Sequence, residues 1–253
     1  MENENLSVNP VELQEKIALL EDRLAKTEQL TAVGELASTT THEFNNILTM
    51  IINYANLGLR HEDKETRDRS FTKILDSAKR AARITSTVLG LARNRKPGFE
   101  PSDLTSLTED VLLLLEKEMN KYKIAVEKVF QPVPNIMGNG NQIQQILVNL
   151  LINARQAMPN GGRLLLKIAP VPDQKMAELT IRDYGTGIPP EKLPHIFDAF
   201  YTTKKGPDES GKGGTGLGLS LCKNIIEAHH GKIRVESALG KGTAFIIRLP
   251  FAE

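Results

Sequence analysis

NQIQQILVNLLINARQAM, residues 141–158, carries two helical stripes in one segment. Ile143, Ile146, Leu147, Leu150, Leu151 and Ala154 recur at steps of three and four, a broad apolar face suited to a core. Gln145, Asn149, Asn153 and Gln156 fall at steps of four, four and three, on another face of the same helix. Asn costs a helix about 0.5 kcal/mol relative to Ala, so two of them inside an apolar segment ask for a reason. One reason is that their amide oxygens face a hydrated Mg²⁺ and phosphates, because magnesium takes oxygen ligands and keeps some of its waters. Taken alone, the row also fits a solvated helix face.

Elements on either side place this helix in a mixed domain. Residues 104–120 predict a Leu-rich helix and Lys123–Phe130 a strand, with Pro132 and Pro134 breaking the chain before the helix. Strands are predicted at Arg163–Ala169 and Glu178–Arg182, then a Gly-rich stretch over 206–218 and a helix over 216–229. Strands at 232–237 and 243–249 close the chain. Strands and helices interleave, so 101–253 reads as one α/β domain.

The upstream texture differs. From Val11 to Arg95 there are almost no breakers. Leu13, Ile17, Leu20 and Leu24 alternate steps of four and three, the seam of a coiled coil over 1–29. The phase then slips, with Leu30, Val33 and Ala37 as the next apolar positions, and such a slip locally rewinds a coiled coil. The stripe continues through Phe44, Ile47, Ile51 and Ala55 to the charged run His61–Glu65, which reads as the turn of a helical hairpin. A second helix follows, with Phe71, Ile74, Ala78, Ala81, Val88 and Ala92 on one face. Two helices cannot bury a core alone, so the hairpin over 30–96 is expected to pair with a second copy as a homodimeric four-helix bundle. The alternative is a hairpin packed on the α/β domain of its own chain.

Composition limits the partners. The 253 residues hold 32 Lys and Arg against 31 Asp and Glu, so no net field draws the chain to nucleic acid or anionic lipid. A single cysteine, Cys222, excludes an internal disulfide framework. No apolar run reaches the roughly 20 residues that cross a bilayer, and MENENLSVNP lacks a signal-peptide pattern. The chain therefore reads as cytoplasmic, alone or as the soluble part of a longer membrane-anchored sensor.

Further motifs carry chemistry. In Arg182-Asp183-Tyr184-Gly185-Thr186-Gly187 an acidic residue opens a glycine turn, and it can accept a hydrogen bond from an exocyclic amine such as that of adenine. Its glycines would let a base approach the backbone, although a plain turn fits equally. Residues 211–219, GKGGTGLGL, open a helix; amides at a helix N-terminus approached by glycines form a polyphosphate site. The order is not that of a Walker loop, and a flexible loop before a helix is the other reading. Phe197 and Phe200 in IFDAFYTTK read as packing that fixes a lid, with Lys204 as a phosphate ligand. Upstream, His42 lies about 200° from both Thr40 and Phe44 on the helix, away from the seam. An exposed imidazole with Glu43 beside it can act as a nucleophile toward a phosphoryl group, Glu43 orienting the ring and taking its proton. Alone, such a pair also fits an ordinary surface.

In order and spacing these motifs resemble the cytoplasmic core of two-component sensor histidine kinases over residues 30–253. GELASTTTHEFNNIL looks like the phosphoacceptor box, NQIQQILVNLLINARQAM the asparagine box, and RDYGTGIP the first glycine box. FDAFYTTK looks like the phenylalanine box and GGTGLGLSLCKNIIEAHHG the second glycine box. HEFNN and FYTTK are nearest the nitrogen-regulation and cell-cycle subgroup. The resemblance implies a multidomain protein: a dimeric helical hairpin followed by an α/β sandwich ATPase domain of the gyrase and Hsp90 type. It implies autophosphorylation of His42 from ATP with Mg²⁺, assisted by Glu43, and transfer to an aspartate of a response-regulator receiver domain. Asn46 would hold a water for dephosphorylating that partner. By matching position, Asn149 would ligate Mg²⁺, Asn153 would lie near the phosphates and Gln145 would orient a metal water. Asp183 would bind the adenine amine, with Gly185 and Gly187 shaping its pocket and Thr243 nearby. Gly214, Thr215, Gly216, Leu217 and Gly218 would border the triphosphate. Relatives often carry a basic residue where this chain has Gln156, which shifts phosphate binding toward Lys204.

Overall fold

In the computed structural model the described residues are Lys16, Thr41, 43–92, 98–202 and 216–252. The predicted coiled-coil seam and its slip lie outside them. Residues 43–60 are helical (α1) and are followed by α2 (Lys64–Ala92). Only 61–63 are non-helical between them, so the second half of the charged run is the first turn of α2. Asp63 Oδ1 accepts the Thr66 N–H at 2.8 Å, as an N-cap does. This bond holds the Asp63 carboxyl below its ordinary 3.8.

The predicted seam of α1 is inward: Ile47 is fully buried and Phe44, Ile51 and Ala55 half-buried. On α2 the inward stripe differs from the predicted one. Ser70, Ser77, Ile84, Thr87 and Leu91 are buried, whereas Phe71 is 62% exposed and Ala78 is also exposed. Ser70 and Thr87 can be buried because each hydroxyl donates to the carbonyl four residues back, Thr66 and Arg83 respectively. Small residues there also let the helices approach: a Cβ on Gly58 would stand 3.3 Å from Ser70 Cβ.

The remaining chain forms β1 (Glu100–Ser102), α3 (Leu104–Lys121), β2 (Ile124–Phe130), β3 (Ile136–Gly138), α4 (Gly140–Ala157) and β4 (Gly162–Val171). Then come β5 (Met176–Asp183), α5 (Gly218–Ala228), β6 (Lys232–Ala238) and β7 (Gly242–Pro250). Strand order in the main sheet is β2-β4-β5-β7-β6, with only β2–β4 parallel. Parallel neighbours need a crossover, and α4 lies in the one joining β2 to β4. All six predicted apolar positions of α4 are buried, together with Ile181, Leu179 and Ile247 of the sheet. On β5 every second residue is buried, ending at Asp183, which fits a sheet covered by helices on one face. Pro170 sits in β4 beyond the register with β2, where its missing N–H leaves no gap in the ladder. A separate ribbon, β1 antiparallel to β3, was not legible in sequence.

This ribbon is joined to α5 by a buried histidine. His229 Nε2 accepts the Asn139 N–H at 2.9 Å, and Nδ1 donates to the Ile225 carbonyl at 2.7 Å. Phe99 meets the ring edge-on with centroids 4.6 Å apart, and a Cβ on Gly138 would fall 2.8 Å from its Cδ2. The ring must be neutral to accept from Asn139, and burial lowers its pKa from the ordinary 6.5. In the unfolded chain the same ring takes a proton near 6.5 while the folded one stays neutral. Its stability contribution is therefore complete above that value and is lost as pH falls toward the lower folded value. The unfolding free energy from urea titrations is expected to drop between about pH 7.5 and pH 5.5, by at most about 1.4 kcal/mol per pH unit from this one proton. A His229→Phe protein should lose less over the same interval.

Candidate nucleotide and phosphoacceptor sites

Two polar clusters lie along α4. At its C-terminal end is the turn after β5. Asp183, 4% exposed, accepts through Oδ1 from the Gly185 N–H at 2.9 Å and the Thr243 N–H at 3.2 Å. Burial pushes the Asp183 carboxyl up from its ordinary 3.8, while these two N–H groups and Arg182 pull the other way. Oδ2 has no hydrogen-bond partner among the described residues, so one carboxylate oxygen can still accept from a ligand.

Glycines are required here by the protein's own backbone. A Cβ on Gly185 would lie 2.3 Å from the Ala157 carbonyl oxygen, and one on Gly187, at φ +69°, would lie 2.0 Å from that of Ala238. Thr186 N–H donates to Ala157 O at 3.0 Å, so the turn is clamped to the end of α4. Ser237 completes the cluster: its hydroxyl accepts the Ile188 N–H at 2.8 Å and pairs with Thr243 Oγ1 at 2.9 Å. Sequence reasoning passed over Ser237, which has no motif signal of its own on an alternating strand.

Toward the middle of α4, Asn149 meets α5. Its Nδ2 donates to Cys222 Sγ at 3.8 Å, and a Cβ on Gly218 would stand 4.0 Å from its amide. Cys222 is fully buried, and burial pushes its thiol up to about 12, so it is un-ionised. Gln145, Asn149, Asn153 and Gln156 are all half-buried, neither core nor fully solvated. Arg155 pins the helix from the other side through Glu118 at 3.0 Å and the Tyr122 ring at 4.8 Å. From Asn149 to Ala157 the helix rises about 12 Å, which sets the spacing between the two clusters.

Gly216 and Leu217 precede α5. Gly216 has φ +78°, and a Cβ there would lie 2.4 Å from the Phe200 carbonyl carbon. Leu217 is buried and its carbonyl accepts from Leu221 N–H at 2.9 Å. Phe197 packs against the core as predicted, but Phe200 does not: its side chain is 54% exposed and its backbone, at φ +67°, is what Gly216 packs against. Lys204, Gly214 and Thr215 lie outside the described residues.

Among the described residues no cluster of three or more His, Cys, Asp or Glu could hold a metal. A magnesium ion fits this site as a partner of amide and phosphate oxygens and water, since Asn149 has its nitrogen engaged and its oxygen available.

On the hairpin, His42 lies outside the described residues, and Asn46 is exposed on α1. Glu43 is held from two sides: Arg80 Nη2 lies 3.1 Å from Oε1 and Lys117 Nζ 2.6 Å from Oε2. Lys117 belongs to α3 of the α/β domain. Arg80 also pairs with Glu116, and Arg83 Nη2 lies 2.7 Å from Asp110. Further along α2, a Cβ on Gly90 would fall 2.7 Å from Asn141 Oδ1 at the start of α4. The hairpin thus rests on its own α/β domain, while Leu48, Ile52 and Leu75 stay more than half exposed like Phe71.

This geometry is that of a helical phosphoacceptor hairpin joined to an ATPase sandwich. Residues 32–97 match the His Kinase A (phospho-acceptor) domain, and 138–253 the Histidine kinase-, DNA gyrase B-, and HSP90-like ATPase family. The chain is 38% identical over 262 residues to Sensor kinase CckA of Brucella abortus (strain 2308), covering 96% of this chain and 27% of that one. It thus spans about a quarter of this curated relative. The mycobacterial sensor histidine kinase MprB superposes with TM-score 0.52 and 30% identity over 60% of this chain and 97% of that one. Histidine kinase ThkA in complex with the response regulator protein TrrA gives 0.51 and 25%, over 94% and 67%. The chain belongs to the sensor histidine kinases, as the sequence motifs implied. No described helix is long and apolar enough to cross a membrane.

Gly187→Ala is expected to cost about 1–3 kcal/mol, since both its φ and the Ala238 contact resist a side chain. Thermal melting should register this as a clear drop relative to a Gly98→Ala control, whose Cβ would meet nothing within 4 Å and whose φ is not in the left-handed region.

Proposed function

We propose that the chain is the catalytic core of an ATP-dependent protein histidine kinase that phosphorylates itself on His42. The observation that supports this most directly is the half-buried amide row of α4. It runs from the Asp183 turn at one end to the start of α5 at the other. A nucleotide along it would place its base amine at Asp183, near Thr243, Gly185 and Gly187. Its triphosphate would lie at Asn149, Asn153 and the loop before α5, including Gly214, Thr215, Gly216, Leu217, Gly218 and Lys204. Bound Mg²⁺ would neutralise charge on the phosphoryl oxygens; Asn149 Oδ1 would be its protein ligand, and Gln145 would orient a water.

In the reaction a His42 ring nitrogen attacks the γ-phosphorus, the bond to the β–γ bridging oxygen breaks, and ADP leaves. Glu43 accepts the ring proton, which requires freeing it from Lys117 and Arg80. A carboxylate of a response-regulator receiver domain then attacks phosphorus and returns His42 to its free form. The ThkA–TrrA complex supports a partner of that class.

The division into 1–29, 30–96 and 101–253 is supported by family matches that fall within the last two parts or on their edges. A second copy would cover Leu48, Ile52, Phe71 and Leu75, completing a four-helix bundle and a homodimer. The buried thiol and the absence of a spanning helix among the described residues fit a cytoplasmic site of action.

Incubation with γ-labelled ATP should give an acid-labile, base-stable label on the parent and none on His42→Gln; a labelled His42→Gln protein would sink the assignment. The exposed Asn46 lies one turn beyond His42 on α1 and would position the water that attacks a phosphorylated receiver. Asn46→Ala should slow release of phosphate from that partner about tenfold or more while His42 labelling persists. Unchanged release would remove Asn46 from this role.

A further inference from the structure

Cys222 lies on the first turns of α5, with its side chain fully buried and directed at α4. Its Sγ is the one hydrogen-bond partner found for Asn149 Nδ2 among the described residues, at 3.8 Å, a reach open to sulfur but long for oxygen or nitrogen. An Asn amide is planar, with its nitrogen and oxygen on opposite sides of Cγ. Whatever fixes the nitrogen therefore fixes the oxygen. Gly218, one turn before Cys222, leaves 4.0 Å between its would-be Cβ and the same amide, so α5 sits close enough to hold the group by packing as well.

We propose that Cys222 is a positioning residue: its sulfur takes the Asn149 amide N–H and thereby turns Oδ1 away from α5, toward the place of the magnesium ion. The proposal rests on the reading of Asn149 as a metal ligand. It assigns the thiol no reactivity. Outer partners that orient a ligand commonly matter to metal affinity almost as much as the ligand itself. Here the partner comes from the helix whose N-terminus borders the glycine loop, so metal orientation and phosphate loop share one rigid element.

Binding of a fluorescent ATP analogue, measured with Mg²⁺ and again with EDTA, separates this role from plain packing. The ratio of the two affinities is the magnesium gain. Cys222→Ala removes the acceptor and should cut this gain by about tenfold, leaving EDTA binding nearly unchanged and lowering the melting temperature only modestly through the small cavity it leaves. Cys222→Ser keeps a hydroxyl, but its shorter bond leaves the oxygen farther from Asn149 Nδ2 than the 3.8 Å that sulfur spans, so it should lose the gain much as Cys222→Ala does. If Cys222→Ala does not fold, Cys222→Val, which also lacks an acceptor, carries the same expectation. Asn149→Ala should lose the gain entirely. A parental gain in Cys222→Ala, with Asn149→Ala losing it, overturns the positioning role alone. A parental gain in Asn149→Ala overturns the ligand reading beneath it. Equal losses with and without Mg²⁺ in both Cys222 variants would make the residue merely structural and also overturn the proposal.

Discussion

The structure depends on the two-sidedness of α4. One face must be dry, because Ile143, Ile146, Leu147, Leu150, Leu151 and Ala154 supply much of the centre of the core. A buried side chain of this size is worth about 1.5–3 kcal/mol, so the rotation of the helix about its axis is fixed by several such anchors. Once that rotation is fixed, the amide row has no freedom to be anywhere but along the helix flank. Being half-buried, it is neither lost in the core nor dissolved in solvent. The β2–α4–β4 crossover sets the helix direction, and the flank then runs between the β5 turn and the start of α5.

Both ends of that flank are held by buried polar joints. A buried carboxylate is costly unless hydrogen-bonded, and Asp183 is accommodated by two backbone N–H donors, Gly185 in the turn after β5 and Thr243 on β7. That geometry only closes because Gly185, Gly187 and Gly242 let three backbone segments pass within contact of one another. His229 does comparable work at the opposite end of α5, tying its last turn to the cap of α4 through one neutral ring. The candidate nucleotide site is thus framed by hydrogen bonds that tolerate little side-chain change.

Much of this was legible in the sequence for a physical reason. Strong periodicity reports burial: the apolar positions of α4 are buried, and the seam of α1 faces inward with Ile47 buried and its neighbours half-buried, where the spacing put them. Four of the five predicted strands fall within the observed ones, and the first starts one residue early, at Lys123, whose φ of +54° belongs to the turn before β2. The motif order pointed to the family because several weak patterns had to coincide. What could not be read was set by tertiary contact. Ser70 and Thr87 are polar by composition, yet internal helix bonds let them line the hairpin interior beside the buried Ser77. Phe71 and Phe200 are apolar and lie on the surface of this chain. The ribbon of β1 and β3 is three residues long on each side, too short for alternation to register. The glycines of the turn after β5 also let neighbouring backbone approach, a need that no local pattern reveals. Ser237 and His229 gain their meaning from partners far away in sequence.

The hairpin meets the α/β domain through charge rather than through apolar packing at Glu43. Its two cations come from different bodies: Arg80 from the hairpin itself, and Lys117 from the nucleotide domain. The carboxylate is therefore a mechanical coordinate. While α3 stays against α1, both oxygens are occupied. Were α3 to move away from α1, Lys117 would leave with it and that oxygen would lose its cation. Access to that oxygen is thus written in domain position, and a rigid-body movement would change the local chemistry without any side chain having to change its own conformation.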